Sequence, residues 1–237
     1  MKPLFFIHIP KTAGTSFRKS AEECFGVNAV EYDYEPMSLE TTDNIRRWVY
    51  EEKDFFELKN SFQSSPMKFL SGHVPASKYL HLFGIHRSIT FLREPIQRTI
   101  SEYQHFVRHY DFEGDLPSFY RKPHFINRQS KMLQGVPIRS LGVVGLNEAY
   151  ENSLAMINSR YGLDIACTSM NMGRKRTDQG YELPDEQREE MLALNEDDVA
   201  LYRRAQRLFD TRWALFQKDL PFVHGDVQQL SDKSISG

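Results

Sequence analysis

The strand–loop–helix stretch FFIHIPKTAGTS, at residues 5–16, constrains the fold more than any other part of the chain. Residues 4–9 (LFFIHI) are almost continuously apolar and rich in aromatic and β-branched side chains, which predicts a buried strand. A helix is predicted over residues 15–25, after a short polar loop. Gly14 permits a close approach of the backbone to a ligand, and a helix N-terminus favours an anion. The stretch therefore predicts a binding site for a phosphate group.

The position of the lysine separates this loop from that of nucleoside-triphosphate enzymes. The P-loop pattern GxxxxGK[ST] places its lysine at the start of the helix, where it reaches the phosphates. Here Lys11 lies at the start of the loop, and Thr15 occupies the position of the P-loop lysine. No convincing acidic metal ligand follows a later strand, so hydrolysis of ATP with magnesium is disfavoured and no metal site is expected. A P-loop kinase or NTPase stays open as an alternative, which predicts tight binding of ATP and magnesium.

Three further apolar segments predict buried strands: KFL before Ser71, SITFL at 88–92 and VVGL at 143–146. After SITFL, apolar residues recur at helical spacing, and Pro95 suits a first helical position. This alternation predicts an α/β fold with a P-loop-like, mostly parallel sheet flanked by helices. Ligands bind such sheets at the carboxyl ends of the strands, where the loops after LFFIHI and SITFL are both expected.

The remaining chain predicts more helices and no domain boundary. Asn147 is predicted to cap one helix, and Asn195 a long one with acidic residues in its first turn. Because no linker divides the chain, residues 1–237 are predicted to form a single domain. The polar residues 225–237 are expected to form a mobile tail.

The charges of the chain are segregated although their sum is small. The net charge of −2 predicts neither nucleic-acid binding nor a membrane surface. No acidic residue lies between Glu57 and Glu94 or from Arg121 to Arg139, and both stretches contain several basic residues. This pattern favours an electropositive cleft for an anionic ligand, with chance clustering on solvated faces as the alternative.

Cysteine usage and hydropathy predict a cellular compartment. Cys24 and Cys167 have neither metal-ligand spacing nor the pattern of a disulfide framework, which fits a reducing compartment. No segment approaches the roughly 20 apolar residues of a membrane span, and the N-terminus lacks a signal-peptide pattern. A soluble, cytoplasmic protein is therefore expected.

Three motifs together resemble a known enzyme family. They are FIHIPKTAGTS, FLREPIQRTISEYQH and FLSGHVPASKYL. They are similar to motifs of sulfotransferases that use 3′-phosphoadenosine 5′-phosphosulfate (PAPS). The first is especially similar to the carbohydrate branch, which includes the heparan and dermatan/chondroitin uronyl 2-O-sulfotransferases. The resemblance implies the sulfotransferase fold, PAPS as co-substrate and no metal. It spans about residues 4–216, although only these three motifs are sharp.

The resemblance also implies roles for residues on the nucleotide side. The loop that holds the 5′-phosphosulfate corresponds to Lys11, Thr12, Ala13, Gly14, Thr15 and Ser16. Arg93 and Ser101 correspond to the pair that binds the 3′-phosphate, where a forked guanidinium and a hydroxyl suit phosphate oxygens. The alternative is a surface pair of Arg93 with Glu94 and a solvent-facing serine. A later loop closing over the nucleotide corresponds to Arg174, Lys175 and Thr177, with an exposed basic turn as the alternative.

The histidines divide into a candidate catalytic base and weaker candidates. The Gly-His after a short strand in the resembling enzymes carries the base, which implies His73 in that role and Lys11 as the cation that stabilises the leaving group. His8 lies inside the first strand and is predicted to be buried and hydrogen-bonded. Five other histidines are candidates for contacts with the acceptor: His81, His86, His105, His109 and His124.

The resemblance implies the chemical class of the acceptor but not its identity. The resemblance favours a hydroxyl of an oligosaccharide or polysaccharide, and the absence of a membrane anchor suggests a bacterial-type soluble enzyme. Residues 109–140 look irregular and are expected to form a lid or an acceptor-binding segment, and the acid-free part suits an anionic sugar such as a uronate. Its aromatic residues Phe119, Tyr120 and Phe125 either stack on sugar rings or belong to the core. A non-catalytic module that binds nucleotide or glycan also stays open.

Overall fold

A five-stranded parallel sheet organises the protein, whose computed structural model describes residues 2–167 and 181–219. The strand order is β2-β3-β1-β4-β5, and every neighbouring pair is parallel. The strands are β1 (Leu4–Ile7), β2 (Val30–Asp33), β3 (Phe69–Gly72), β4 (Ser88–Leu92) and β5 (Val143–Leu146). The predicted α/β fold is confirmed, and β4 and β5 have the predicted bounds.

Strand β2 was not predicted. Its sequence, VEYD, contains two acidic residues, which are depleted in strands. Asp33 is nevertheless fully buried, since its carboxylate accepts hydrogen bonds from Tyr50, Lys78 and Tyr79 over 2.5–2.7 Å. Three donors explain how a strand-end carboxylate tolerates this burial.

Helices cover both faces of the sheet. They are α1 (Gly14–Phe25), α2 (Asp43–Ile45), α3 (Phe55–Ser64), α4 (Ser77–Phe83), α5 (Pro95–His109), α6 (Leu116–Tyr120), α7 (Arg128–Met132), α8 (Tyr150–Tyr161), α9 (Asp185–Leu194) and α10 (Glu196–Phe216). A π-helical segment, Arg46–Glu51, continues α2, and short 3-10 turns occupy Val27–Ala29, Ile85–Arg87, Ile138–Ser140 and Asn147–Ala149.

The helix starts test the predicted caps. Pro95 is the first residue of α5, as predicted. The cap prediction for Asn147 is wrong, because this residue begins a 3-10 turn and α8 starts only after it. Asn195 does occupy the N-cap position of α10, but its side chain accepts a hydrogen bond from the backbone N–H of Asn127 instead of capping the helix.

Alternate residues of the strands fill two apolar layers. Phe5 and Ile7 face a layer that includes α3, α4 and α10, whereas Leu4 and Phe6 face α1 and α8. Within the described ranges, no helix is long and apolar enough to cross a membrane.

The segment 109–140 is mostly irregular, as predicted, with short helices between turns. Its aromatic residues Phe119, Tyr120 and Phe125 are 0%, 1% and 5% exposed, and the rings of Phe119 and Phe125 stack at 3.8 Å. They therefore belong to the core, and the alternative that they stack on a sugar is wrong.

Candidate active site

The loop between β1 and α1 is shaped for an anion. Lys11 and Ala13 have left-handed φ angles of 68° and 72°, and Ala13 immediately precedes α1. Residues with side chains rarely adopt such angles, and right- and left-handed residues in alternation turn successive N–H groups towards one point. Thr12 is fully buried, and its hydroxyl donates to the carbonyl oxygen of Ile9 over 2.8 Å. This bond fixes the loop at the positive end of the 12-residue helix.

Gly14 allows α1 to begin against the ring of His8. A Cβ atom on Gly14 would lie 2.0 Å from Cδ2 and 2.2 Å from Nε2 of His8, which is closer than non-bonded atoms approach. A larger residue would push the start of the helix away from the strand. His8 itself is 4% exposed and hydrogen-bonded to Tyr34, so the prediction of a buried, hydrogen-bonded histidine is confirmed.

Arg93 follows β4 and lies beside this loop. Its Nη1 donates to the carbonyl oxygen of Lys11 over 3.3 Å. The side chain is half-buried, and burial lowers its pKa while the charge of Glu148 opposes that effect. The carboxylate of Glu94 caps α5 by accepting from the N–H of Gln97. The Arg93 side chain is therefore directed towards the loop, and the alternative of a surface pair with Glu94 does not describe its position.

The backbone of Arg93 is held by one buried amide. Gln129 is fully buried; its Oε1 accepts from the Arg93 N–H over 3.0 Å, and its Nε2 donates to the Arg93 carbonyl over 2.9 Å. Asp198 on α10 in turn accepts hydrogen bonds from the backbone N–H groups of Gln129 and Ser130. Helix α10 therefore supports the residue after β4 through Gln129.

His73 follows β3 directly, at the same edge of the sheet. Its N–H donates to the carbonyl oxygen of Asp33, and its ring packs edge-on against His8 and Tyr34. The residue is exposed, yet the surrounding protein and then the charges of Arg128, Arg18 and Lys11 lower the pKa of His73. The ring is therefore neutral near pH 7, which is the state that a proton acceptor needs.

Arg128, the charge that lowers the pKa of His73 most, belongs to a buried charge cluster. Glu102 is 2% exposed and accepts from Arg98 over 2.5 Å and from Arg128 over 2.7 Å. Arg98 is sealed in the interior, whereas the side chain of Arg128 is 19% exposed. Because one carboxylate is shared by two guanidinium groups, a net positive charge remains, and the accessible part of it lies on Arg128.

The other residues predicted to belong to the site lie on α5 or outside the described residues. Ser101 is half-buried on α5, two turns from the start of that helix. The charge of Lys11 contributes, after burial, to lowering the pKa of His105, so His105 lies near the loop. Residues Arg174, Lys175 and Thr177, and the tail 225–237, lie outside the described residues.

The acid-free stretch between Glu57 and Glu94 does not form one surface. Lys68 and Arg87 precede β3 and β4 and therefore lie at the amino edge of the sheet, away from His73. Lys78 pairs with Asp33 over 2.7 Å. His86, whose Nδ1 is hydrogen-bonded to the carbonyl oxygen of Ser140, also lies before β4 and does not approach the site. Instead, the charges of Arg128, Arg18 and Lys11 act on His73, although Arg18 is paired with Glu40 and Arg128 with Glu102, and Arg93 lies beside Lys11.

Sequence reasoning missed Tyr34, Arg128 and Gln129 as parts of the site. The segment NRQSKMLQG, residues 127–135, resembles a family segment of structural or nucleotide-side use, but neither Arg128 nor Gln129 was given a role of its own. Tyr34 stands beside an unpredicted strand. The alternation of aromatic residues at Tyr32 and Tyr34 was the available signal for that strand. Among the described residues, no group of His, Cys, Asp and Glu could hold a metal ion.

Comparison with known proteins decides the family. A model of the sulfotransferase family matches residues 2–152, which is more than half of the chain. The chain belongs to the sulfotransferase family. Lys11, His73, Arg93 and Ser101 all fall within the matched region of this sulfotransferase. Membership supports a sulfotransferase enzyme over the kinase and NTPase alternatives.

A distant structural likeness accompanies the family match. The crystal structure of a sulfotransferase from Alicyclobacillus acidocaldarius aligns with 90% of this chain and 99% of its own, at 16% identity and a TM-score of 0.46. No curated protein matches the chain.

Proposed function

We propose that this sulfotransferase moves the sulfuryl group of PAPS to a hydroxyl of an acidic carbohydrate. The observation that carries the proposal is the hydrogen bond from Arg93 to the carbonyl of Lys11. It places a guanidinium beside the loop that we propose to bind an anion, and this arrangement suits two separate phosphates of one nucleotide. PAPS has a phosphate on each side of its ribose, whereas ATP has none at the 3′ position.

In this proposal the nucleotide is held from both ends. Lys11 and the N–H groups of residues 12–16 hold the 5′-phosphosulfate, where the helix N-terminus adds a favourable field. Arg93 and Ser101 hold the 3′-phosphate through a charge-assisted fork and a neutral hydroxyl. Arg174, Lys175 and Thr177 are proposed to close over the nucleotide.

The chemical step needs one base and one cation. The acceptor oxygen attacks the sulfur in line, the bond from sulfur to the phosphate oxygen breaks, and adenosine 3′,5′-bisphosphate leaves. The proton of the acceptor hydroxyl goes to neutral His73. Lys11 and the first turn of α1 stabilise the negative charge that develops on the leaving phosphate oxygen.

The acidic character of the acceptor is argued from Arg128. Its charge influences His73 more than any other single charge, so it lies near the place where the acceptor hydroxyl must be. Glu102 satisfies only part of the two guanidinium groups that it binds. A carboxylate or sulfate on the acceptor would neutralise the excess, and the carbohydrate nature of that acceptor rests on the resemblance of the loop motif.

A ligand panel tests the donor. Thermal unfolding is measured with adenosine 3′,5′-bisphosphate, with adenosine 5′-monophosphate and with ATP plus magnesium, because a ligand raises the unfolding temperature according to its affinity for the folded state. We expect the bisphosphate to give the largest shift. Equal shifts with ATP and magnesium contradict the donor assignment.

Sulfate transfer itself is then measured. Radiolabelled PAPS is incubated with matched acidic and neutral oligosaccharides, and transfer is expected to favour the acidic set. Faster transfer to neutral sugars contradicts the acceptor class without affecting the donor.

A further inference from the structure

The orientation of the His73 ring depends on two neighbouring rings. The centroid of His73 lies 4.3 Å from that of His8 and 4.6 Å from that of Tyr34, with interplanar angles of 65° and 80°. Both are edge-to-face contacts, a favoured geometry for aromatic pairs. Within residues 2–167 and 181–219, no hydrogen bond from its own side chain fixes the ring. Packing against His8 and Tyr34 therefore sets its direction.

The two supporting rings are themselves fixed by hydrogen bonds. A bond of 2.7 Å joins Nδ1 of His8 to the Tyr34 hydroxyl, and a bond of 3.0 Å joins that hydroxyl to Oγ of Ser71. His8, Tyr34 and Ser71 are 4%, 8% and 0% exposed. Ser71 belongs to β3 and His8 follows β1, so the chain of bonds ties Tyr34 to two neighbouring strands.

The Tyr34 hydroxyl can satisfy both neighbours at once. A phenol has one proton to donate and lone pairs to accept with, so it donates to one partner and accepts from the other. Burial raises the pKa of Tyr34 to about 12, which keeps the hydroxyl protonated at neutral pH. A fully satisfied buried chain of this kind holds its members in one arrangement.

We propose that Tyr34 is a positioning residue that holds the His73 ring, directly and through His8, in the orientation needed to take the proton of the acceptor. This inference rests on the proposed role of His73 as the base. A base must point at the hydroxyl within hydrogen-bond reach, and a misplacement of about 1 Å can lower a rate by about two orders of magnitude.

The charges around His73 come from several elements. Lys11 lies in the loop after β1, Arg18 on α1 and Arg128 on α7, and all three contribute to lowering the pKa of His73. His8 and Tyr34 are titratable rings in contact with it. The tested variants substitute neither the three cations nor His8, but Tyr34→Phe removes the hydrogen-bond partner of His8, so a change in the pH profile would report the altered setting of His73 together with His8.

Tyr34→Phe tests the proposal, since it keeps the ring and removes the hydroxyl. We expect kcat to fall about 10-fold, with unchanged affinity for adenosine 3′,5′-bisphosphate and an altered acidic limb of the pH–kcat profile. Tyr32→Phe is the matched control: it removes a neighbouring tyrosyl hydroxyl, bonded to Glu22 over 2.6 Å, and should leave kcat unchanged. Wild-type kcat and pH profile for Tyr34→Phe, or an equal loss in Tyr32→Phe, overturns the proposal.

Two further measurements keep the outcomes distinct. If Tyr34→Phe does not fold, Ser71→Ala removes the far end of the same chain and should lower kcat in the same direction; wild-type kcat there overturns the proposal. Nitrogen NMR of labelled histidine should show the His73 ring in altered or averaged orientations in the variant. If His73→Ala retains full activity, the base assignment fails, whereas an inactive His73→Ala beside a normal Tyr34→Phe refutes only the positioning role.

Discussion

The guanidinium of Arg93 donates a hydrogen bond to the carbonyl oxygen of Lys11 over 3.3 Å, although 82 residues separate them in the chain. Parallel pairing of β1 with β4 creates this proximity, because it brings the carboxyl ends of both strands to the same edge. Arg93 and Lys11, two cationic residues from different loops, therefore lie side by side. This arrangement leads to predictions that separate nucleotide binding from catalysis.

The first prediction concerns His73. His73→Ala should lower kcat by on the order of 10²–10⁴, the usual effect of losing a general base. Affinity for adenosine 3′,5′-bisphosphate, measured by calorimetry, should stay unchanged because the phosphate sites are intact. His86→Ala, which alters an exposed histidine before β4 and away from the site, is the control and should retain wild-type kcat. Full activity in His73→Ala excludes this base.

The second prediction concerns Arg93. Arg93→Ala should weaken binding of adenosine 3′,5′-bisphosphate roughly 10- to 100-fold, the effect of losing a charged hydrogen bond. Binding of adenosine 5′-monophosphate, which lacks the 3′-phosphate, should change far less. Arg204→Ala removes an exposed arginine of α10 and is the matched control. Equal losses for both nucleotides would show that Arg93 does not contact the 3′-phosphate.

The third prediction concerns Gln129. Gln129→Ala leaves the backbone N–H and carbonyl of Arg93 without their partner, which should lower the free energy of unfolding by about 1–3 kcal/mol. Nucleotide affinity should also fall, because Arg93 loses its support. Exposed Gln134→Ala should change neither quantity. Denaturant unfolding and calorimetry measure both, and unchanged affinity in a folded variant would contradict the support role.

The fourth prediction concerns the acceptor. Arg128→Gln should raise KM for an acidic acceptor about 10-fold, as expected for loss of a charged hydrogen bond, and leave KM for a neutral analogue unchanged. Arg121→Gln is the control: it alters an exposed arginine of the same acid-free stretch, paired with Glu190. Parallel changes for acidic and neutral acceptors in Arg128→Gln would remove the charge argument.

The fifth prediction concerns pH and stability. Burial, followed by the charges of His73, Arg18 and Lys11, holds the pKa of His8 well below its usual value. The unfolded chain therefore binds a proton near pH 6.5 that folded His8 does not, so the free energy of unfolding falls as pH drops from about 7 to 5. His8→Gln should reduce this dependence in denaturant unfolding, with a remainder from His73, whose pKa the fold also lowers, while exposed His109→Gln should not reduce it. A dependence unaltered in His8→Gln would exclude His8 as its source.

Sequence patterns predicted the parts of the site that are contiguous in the chain. The apolar run and Gly14 give the loop after β1, and Pro95 marks the helix after β4, because each depends on local backbone preferences. Arg128 and Gln129 could not be assigned in this way. Their importance arises from contacts with Glu102 and Arg93, which are distant in sequence and meet only in the folded sheet and its helices.

The same distinction explains the errors. Asn147 has the composition of a helix cap, but the chain inserts a 3-10 turn before α8. Asn195 occupies its predicted position, yet tertiary contact with Asn127 uses its side chain. Lys68, Lys78 and Arg87 looked like one basic surface because sequence proximity does not distinguish the two edges of a sheet.

The hydrogen bonds that Asp198 accepts from the start of α7 set a minimum length for a functional fragment of the chain. The family match ends at residue 152, but Asp198 belongs to α10 and anchors Gln129, which in turn clamps Arg93. A fragment that ends at residue 152 would keep every proposed contact residue of the first three motifs. It would lose Asp198, which holds Gln129 and through it the backbone of Arg93. Expression trials and domain swaps should therefore carry the chain through Phe216.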